Sequence, residues 1–302
     1  MTKKIAVLGS LNVDMILRLN RMPQPGETLA VSNKSSAAGG KGANQAVASA
    51  RSGAAVRFIG RVGDDDEGRF MIDSLKEDQI DTVNIKTDKR VGTGSAVILL
   101  DDSGQNDILV YGGANQRIAP EDISEDVFNG IEALIAQFET PQDVTLKAFQ
   151  IAKTKGILTV LNPAPAQKIN PDLLKVTDLV IPNETESAAL TGIEVIDEES
   201  MEKTAESFRG MGVKNLIITI GSKGAFYSTD NESGFMKAFK VKAVDTTAAG
   251  DTFIGALTSQ LNNDLSNIKD ALEYGQRASS LTVQKLGAMP SIPTREEVLS
   301  TK

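Results

Sequence analysis

The sequence contains no cysteine, no histidine and no tryptophan among its 302 residues. Without histidine or cysteine the chain can form no Ser-His-Asp triad, no cysteine nucleophile, no HExxH zinc site and no disulfide. Its remaining acid-base groups are mainly carboxylates and lysines. These groups suit a reaction that depends on positioning and electrostatics, such as phosphoryl transfer with Mg²⁺.

An excess of positive charge is also missing, since the formal net charge is −8. Nucleic acids and anionic membranes bind basic surfaces, so we expect neither as a partner. The N-terminal segment is basic and then apolar, but its apolar run is short and no cleavage-like site follows. No stretch approaches the roughly 20 apolar residues that span a bilayer. We therefore expect a cytoplasmic protein.

Short apolar runs alternate with helical patterns along most of the chain. The runs lie at residues 5–8, 56–62, 134–138, 157–161, 179–181 and 216–220. This order predicts an α/β fold with a mostly parallel central sheet and helices on both faces. Two turn-rich, alternating segments, at approximately 15–38 and 93–112, interrupt the order and predict a small β-sheet lid. Length alone allows two domains, but we expect one domain, 1–302, that carries these insertions.

Polar side chains follow two of the predicted strands. Asn12 and Asp14 come after the first apolar run, and Glu139 comes after the run at 134–138. Ligands of open α/β sheets bind at the carboxyl ends of the strands, so these residues are candidate ligand contacts. A plain Asx turn is the alternative for Asn12 and Asp14.

The stretch VDTTAAGDTF at 244–253 leads from a strand-like segment into a helical pattern. A helix N-terminus offers unpaired N–H groups and a dipole that favours an anion, and Gly250 allows close approach of a phosphate. Asp251 places a carboxylate beside the same point, where it could accept the proton of an attacking hydroxyl. The alternative is that Asp251 only stabilises the first turn of its helix.

The stretch GGKGANQA at 39–46 precedes an alanine-rich helix predicted at about 43–50. It is not a Walker A loop, because residue 35 is serine rather than glycine and Gly42 follows Lys41 where serine or threonine is required. A dinucleotide fingerprint is absent as well, since Gly9 lacks the GxGxxG continuation. Lys41 and Asn44 can instead hydrogen-bond to hydroxyl groups.

These two stretches, GGKGANQA near the N-terminus and VDTTAAGDTF near the C-terminus, resemble the two signatures of the ribokinase family of carbohydrate kinases. The resemblance runs through most of the chain. It implies ATP-dependent phosphorylation of a primary sugar hydroxyl, O5 of D-ribose, with Mg²⁺. A same-fold kinase for deoxyribose, fructose or adenosine, and a non-enzymatic sugar-binding protein, remain alternatives.

The resemblance also implies a role for individual residues. Asp251 would be the base, and the N–H groups of Ala249 and Gly250 would form the anion hole. The sugar contacts would be Asn12, Asp14, Gly40, Lys41, Asn44, Glu139 and Asp251. The ATP contacts would be Asn183, Thr219, Gly221, Lys223, Gly224, Gly250 and Gln276. Many family members have histidine at the position of Gln276, beside the adenine, so the contact with the adenine should differ here. A simple hairpin turn is the alternative for residues 221–224.

Two cation sites and a dimer complete what the resemblance implies. Glu186 would hold Mg²⁺ through water, although it could serve only its helix dipole. An activating K⁺ would be held largely by backbone carbonyls of Asp245, Thr247, Thr282, Lys285, Gly287 and Ser291. An ordinary C-cap at Gly287, after a helix predicted at 268–286, is the alternative. The lid would pair two subunits into a homodimer.

Overall fold

The central element of the computed structural model is a nine-stranded sheet. The structure describes residues 2–103 and 105–301, and Gly104, which we assigned to a lid turn, lies outside the described residues. The strands of this sheet are β1 Lys4–Leu8, β4 Ala55–Gly63, β5 Asp81–Asp88, β8 Ala133–Ala136, β9 Leu158–Leu161, β10 Leu179–Val180, β11 Asn215–Ile220, β12 Gly224–Ser228 and β13 Ser233–Lys237.

The strand order in the sheet is β13-β12-β11-β10-β9-β8-β1-β4-β5. The pairs from β11 to β5 are all parallel, and only β12 and β13 at one edge are antiparallel. Two parallel strands cannot be joined by a tight turn, so helices connect them as crossovers. The predicted mostly parallel sheet is confirmed.

Helices cover both faces of the central sheet. They are α1 Lys41–Arg51, α2 Asp66–Glu77, α3 Gln142–Thr154, α4 Pro171–Leu174, α5 Glu184–Thr191, α6 Glu198–Gly210, α7 Ala249–Gln260, α8 Ile268–Thr282 and α9 Arg295–Ser300. Because side chains alternate along a strand, Ile5 and Val7 of β1 belong to one core with α1, α7 and α8. Ala6 and Leu8 belong to a second core with α3 and α6.

A separate four-stranded sheet is formed by β2 Asn12–Leu19, β3 Asn33–Gly39, β6 Gly94–Asp101 and β7 Asn106–Tyr111. Its order is β3-β2-β6-β7, and we call it the lid sheet. Our placement of Asn12 and Asp14 in a strand-end loop was wrong. They are in β2 itself, opposite Gly39 and Ala37 of β3, because pairing resumes four residues after β1 ends.

The end of α8 also differs from our prediction. The helix stops at Thr282 rather than at residue 286. The carbonyl of Val283 instead accepts the N–H groups of Val244 at 2.7 Å and Asp245 at 3.2 Å. A tertiary contact with the segment before α7 therefore replaces the last turn of the helix.

Helices α1 and α7 approach each other closely at Gly255. A Cβ atom at this position would lie 2.4 Å from the carbonyl oxygen of Gln45, a distance that no side chain could occupy without a shift of the backbone. Glycine therefore permits the contact. The contact brings Asn44 and Gln45 of α1 against the first turn of α7.

None of the helices within residues 2–103 and 105–301 has the length and apolar character that a bilayer crossing requires.

Candidate active site

Asp251 lies in the first turn of α7 and is only 9 % exposed. Its two carboxylate oxygens accept hydrogen bonds from two amide side chains of α1. Asn44 Nδ2 donates to Oδ2 at 3.0 Å, and Gln45 Nε2 donates to Oδ1 at 2.9 Å. A residue that only stabilised a helix dipole would need neither donor, so the geometry favours a held carboxylate over a solvated first-turn acid.

The turn before α7 adopts an unusual conformation. Ala248, which precedes the helix, has φ of 60° and ψ of 8°, in the left-handed region that alanine seldom occupies. The N–H of Ala249 donates to the Thr246 carbonyl at 3.2 Å, whereas the N–H groups of Gly250 and Asp251 donate to no described residue. The helix therefore presents free donors beside the Asp251 carboxylate.

Two cavities meet at this helix N-terminus. The smaller, about 210 Å³, is bounded by Lys41, Asn162, Glu186 and Asp251. The larger, about 520 Å³, extends from the β11–β12 turn to Gln276 of α8. Both are lined by Asn183, Thr219, Thr246, Ala249 and Gly250. A further cavity of about 600 Å³ near α6 contains none of the residues chosen from the sequence, so size alone does not identify the site.

Hydrogen bonds and close contacts bring the predicted sugar contacts together, and two of them, Lys41 and Asp251, line the smaller cavity. Glu139 Oε2 accepts the N–H of Lys41 at 3.0 Å and the hydroxyl of Ser10. Gly40, which caps α1, has φ of 92°, and a Cβ atom at this position would lie 2.9 Å from the backbone nitrogen of Asn12. The structure thus places Asn12, Asp14, Gly40, Lys41, Asn44, Glu139 and Asp251 in one neighbourhood.

Asn115 was missed by the sequence analysis. It is 1 % exposed, follows the lid strand β7, and binds the junction between β1 and β2. Its Oδ1 accepts the Leu11 N–H at 2.9 Å, and its Nδ2 donates to the Leu11 carbonyl at 3.1 Å and to Asn12 Oδ1 at 2.8 Å. This bond fixes the Asn12 oxygen as the acceptor, so its own amide nitrogen, which bonds to no described residue, is a donor for a ligand.

Lys41 is surrounded by acids. Burial disfavours its charged form, but the carboxylates of Asp251, Glu139 and Glu186 outweigh burial and raise the pKa of Lys41. Asp14 shows the opposite balance. Burial, followed by the charges of Glu139 and Asp251, raises the pKa of Asp14 to about 7. The group of predicted sugar contacts therefore holds more carboxylates than its lysine can neutralise.

The predicted nucleotide contacts line the larger cavity, with one exception. Asn183, Thr219, Gly221, Gly224, Gly250 and Gln276 border it, whereas Lys223 does not. Gln276 Nε2 donates to the Met236 carbonyl at 2.9 Å, and its buried Oε1 accepts no hydrogen bond from the described residues. A fixed acceptor at the inner wall of the cavity suits a ligand with an amino group.

Glu186 takes part in a capping box at the start of α5. Its Oε2 accepts the Asn183 N–H at 2.9 Å, and Asn183 Oδ1 accepts the Glu186 N–H at 2.7 Å. Burial raises the pKa of Glu186, with Asn183 and Lys41 opposing that effect. The helix-stabilising role is therefore real, and Oε1, which bonds to no described residue, remains available to a ligand.

The segments chosen for the monovalent cation lie against each other. Asp245 Oδ2 accepts the Gly287 N–H at 2.9 Å, and Asp245 Oδ1 accepts the Thr247 N–H at 2.9 Å. The Thr282 carbonyl accepts one hydrogen bond, from the Lys285 N–H at 3.1 Å, which leaves its second lone pair for a ligand. No hydrogen bond within residues 2–103 and 105–301 ends on the carbonyl oxygens of Asp245, Thr247, Lys285 or Gly287.

Comparison with known proteins decides the family. The model of the pfkB family of carbohydrate kinases matches residues 2–295. The chain belongs to the pfkB family of carbohydrate kinases. Our prediction from the two signature stretches is therefore confirmed, and with it a phosphotransferase activity on carbohydrate.

Individual relatives agree. A ribokinase of Staphylococcus aureus is 47 % identical over 99 % of this chain and 99 % of its own length. A ribokinase of Haemophilus influenzae is 44 % identical over 99 % of this chain and 98 % of its own. The chain also matches, at 50 % identity, 56 % of the length of a bifunctional ribokinase/ribose-5-phosphate isomerase A of Fructilactobacillus sanfranciscensis.

Among solved structures, the Arabidopsis thaliana ribokinase complexed with ribose and ATP superimposes with a TM-score of 0.93. It is 30 % identical, and the match covers 99 % of this chain and 98 % of that one. The ribokinase fold that the resemblance implied is confirmed.

The raised pKa of Asp14 predicts a pH-dependent penalty on stability. In the unfolded chain an aspartate titrates near 3.9, and in the folded protein Asp14 titrates at about 7. The folded state therefore binds the proton of Asp14 more tightly than the unfolded chain does. The contribution of Asp14 to the free energy of unfolding is consequently lost as the pH rises from about 4 to about 7. We expect Asp14→Asn to raise the thermal midpoint at pH 8 by more than about 2 °C and to raise it much less at pH 5.

Asp245→Asn is the matched control, since burial would raise the pKa of Asp245 but donors from Thr247 and Gly287 outweigh it and lower that pKa. This variant should lower the midpoint at pH 8. An Asp14→Asn effect of equal size at both pH values, measured by calorimetry, contradicts the account of Asp14.

Proposed function

We propose that the protein transfers the γ-phosphoryl group of ATP to O5 of D-ribose, giving D-ribose 5-phosphate and ADP. One observation carries the proposal: the two cavities share their walls at the N-terminus of α7, with Asp251 on the side of the smaller one. A donor nucleotide in the larger cavity and a sugar in the smaller one would meet beside a carboxylate. The full-length similarity to ribokinases supports ribose as the acceptor.

The residues of the site have separate tasks in this reaction. Asp251 accepts the proton of the sugar hydroxyl as that oxygen attacks the phosphorus. The N–H groups of Gly250 and, after its bond to Thr246 is released, Ala249 receive the charge on the phosphoryl oxygens. Asn12, Asp14, Gly40, Lys41, Asn44 and Glu139 hold the sugar hydroxyls in place.

The proposed nucleotide contacts are Asn183, Thr219, Gly221, Gly224, Gly250 and Gln276. Lys223 does not line the larger cavity and contributes its backbone to the β11–β12 turn, where its carbonyl accepts the Ala238 N–H at 3.1 Å. Because the reaction consumes ATP, we place the protein in the cytoplasm.

Glu186 fits a Mg²⁺ ion that arrives with ATP. It is a partly buried carboxylate whose Oε1 bonds to no described residue, and it lines the smaller cavity beside the two residues of α7 that face both cavities. Mg²⁺ keeps much of its hydration shell, so a single carboxylate acting through water is a suitable ligand set. When bound, the ion would neutralise charge on the phosphates.

Replacement of the base tests the proposal directly. Asp251→Asn keeps the shape of the side chain but removes the proton acceptor, so kcat should fall roughly 10²- to 10⁴-fold while ATP affinity stays within about threefold. ADP release with ribose, 2-deoxyribose, fructose and adenosine should show the highest kcat/KM for ribose in the unaltered protein. Ribose no better than the other acceptors would overturn the substrate, and normal turnover in Asp251→Asn would overturn the base.

We further propose that K⁺ binds between the segment before α7 and the chain that follows α8. The unbonded carbonyls of Asp245, Thr247, Lys285 and Gly287 support this, together with the Asp245 contact to Gly287 that joins the two segments. Thr282 and Ser291 complete the proposed set. A bound cation would order the turn that leads to Gly250, so its effect would be on positioning.

Replacement of the cation should separate this site from general salt effects. At fixed ionic strength and saturating Mg²⁺, we expect kcat in K⁺ to exceed kcat in Na⁺ by more than about fivefold, because the larger ion sheds its water more readily for carbonyl ligands. Tetramethylammonium is the control for ionic strength alone. Equal rates in all three salts contradict the cation site and leave the kinase assignment intact.

The lid sheet supplies the argument for a homodimer. Four consecutive residues of its edge strand β7, Ile108, Leu109, Val110 and Tyr111, are 53–64 % exposed. An exposed apolar edge strand is unfavourable in an isolated protein and is commonly covered by a partner. We propose that a second copy of the chain covers it.

A charge on this strand should therefore disrupt the dimer. We expect the unaltered protein to be a dimer by light scattering at micromolar concentration, and Leu109→Asp to shift it towards monomer. Ile196→Asp is the matched control, because Ile196 is 70 % exposed in the loop before α6, outside the lid sheet. A monomeric unaltered protein, or equal dissociation in both variants, contradicts the lid interface.

A further inference from the structure

Hydrogen bonds join Asp251 to a chain of buried amide side chains to which the proposed reaction assigns no role. Gln45 of α1 is 0 % exposed and Gln137, which follows β8, is 1 % exposed. Gln45 Nε2 donates to Asp251 Oδ1 at 2.9 Å and to Asn162 Oδ1 at 3.2 Å. Gln137 Nε2 donates to Gln45 Oε1 at 2.7 Å. We call Gln45, Gln137 and Asn162 the amide relay.

The orientation of every amide in the relay follows from one backbone contact. Asn162 Nδ2 donates to the Ile181 carbonyl at 2.9 Å, so Asn162 must present its oxygen towards Gln45. Gln45 must then present its nitrogen to that oxygen, and the same nitrogen faces the Asp251 carboxylate. Both of its protons are used. Its oxygen is left for Gln137, which donates to it.

The relay limits the motion of the Asp251 carboxylate. One oxygen accepts from Gln45 and the other from Asn44, so rotation about the bond to the carboxylate would break both bonds at once. The carboxylate, which lines the smaller cavity where the sugar hydroxyl is expected, is thereby held in one orientation. A general base loses efficiency when its lone pair is misaimed, since proton transfer depends on alignment as well as on basicity.

We infer that Gln45 is a positioning residue that aims the Asp251 carboxylate at the sugar hydroxyl, and that Gln137 and Asn162 hold Gln45 in the orientation this requires. The inference rests on the proposed function, because it assigns Asp251 as the base. Gln45 itself is completely buried and lines neither of the two cavities, so it acts through Asp251 and does not contact the substrate.

A double-mutant cycle tests the inference. Gln45→Met keeps nearly the same length but removes both donors. We expect kcat to fall about 10- to 100-fold, while KM for ATP and for ribose changes less than about threefold. In the Asp251→Asn background the same substitution should change the residual kcat less than about twofold, because the base that Gln45 positions is already absent.

Two further variants guard against a purely structural effect. Gln260→Met is the matched control, since Gln260 lies at the opposite end of α7 and also donates through its side chain, to Ser52 and Ser259. It should leave kcat within about twofold of the unaltered protein. Gln137 is one hydrogen bond further from Asp251 than Gln45 is, so Gln137→Met should lower kcat about 3- to 10-fold with KM unchanged. If Gln45→Met does not fold, Gln137→Met tests the inference in its place.

The outcomes separate this inference from the proposed function. Equal losses for Gln45→Met in both backgrounds, or folded Gln45→Met and Gln137→Met proteins with normal kcat while Asp251→Asn stays slow, would overturn the relay and leave the kinase proposal standing. An unaltered protein that releases no ADP with ribose or any other sugar would instead overturn the proposed function, on which the relay rests.

Discussion

The site depends on the contact between helices α1 and α7. Gly255 lets the two helix backbones approach, and that approach sets Asn44 and Gln45 against both oxygens of Asp251. A carboxylate that is 9 % exposed would be costly to bury without such donors. The same helix contact therefore satisfies the carboxylate and fixes its direction. The same contact sets Lys41 of α1 and the free N–H groups at the start of α7 at the smaller cavity.

Charge is the second constraint. Glu139, Glu186 and Asp251 interact electrostatically with one lysine, Lys41, and Asp14 interacts with Glu139 and Asp251. Acids packed this closely repel one another, which contributes to the raised pKa values of Asp14 and Glu186. They would also repel the phosphates of a nucleotide. The proposed Mg²⁺ at Glu186 and the helix N–H groups at Gly250 would offset this repulsion. They have to do so locally, because the net charge of −8 gives the chain no overall attraction for phosphates.

The sequence predicted the layers of the fold and the two stretches that form the site, because both have local signatures. Alternating apolar runs and helical patterns indicated the parallel sheet, and the small residues at 244–253 indicated a helix N-terminus at a ligand. Where tertiary contacts override local pattern, the prediction was wrong. Asn12 and Asp14 were drawn into β2 by pairing with β3, and α8 ends early because Val283 bonds to the segment before α7.

The polar residues behind the site could not be found in this way. Gln45, Gln137 and Asn115 have ordinary local contexts, and their partners lie 92 to 206 positions away along the chain. Gln45 was within the quoted motif, but nothing in the motif indicated that its side chain points at Asp251 rather than at a ligand. Only the folded arrangement shows which buried amide meets which carboxylate.

A structure with ribose and a non-hydrolysable ATP analogue tests the central claim most directly. The account predicts that ribose O5 lies about 3 Å from an Asp251 oxygen and in line with the γ-phosphorus, while Asn44 and Gln45 keep their bonds to the carboxylate. A ribose molecule bound with another hydroxyl facing Asp251, or an Asp251 carboxylate turned away from the sugar, would contradict it.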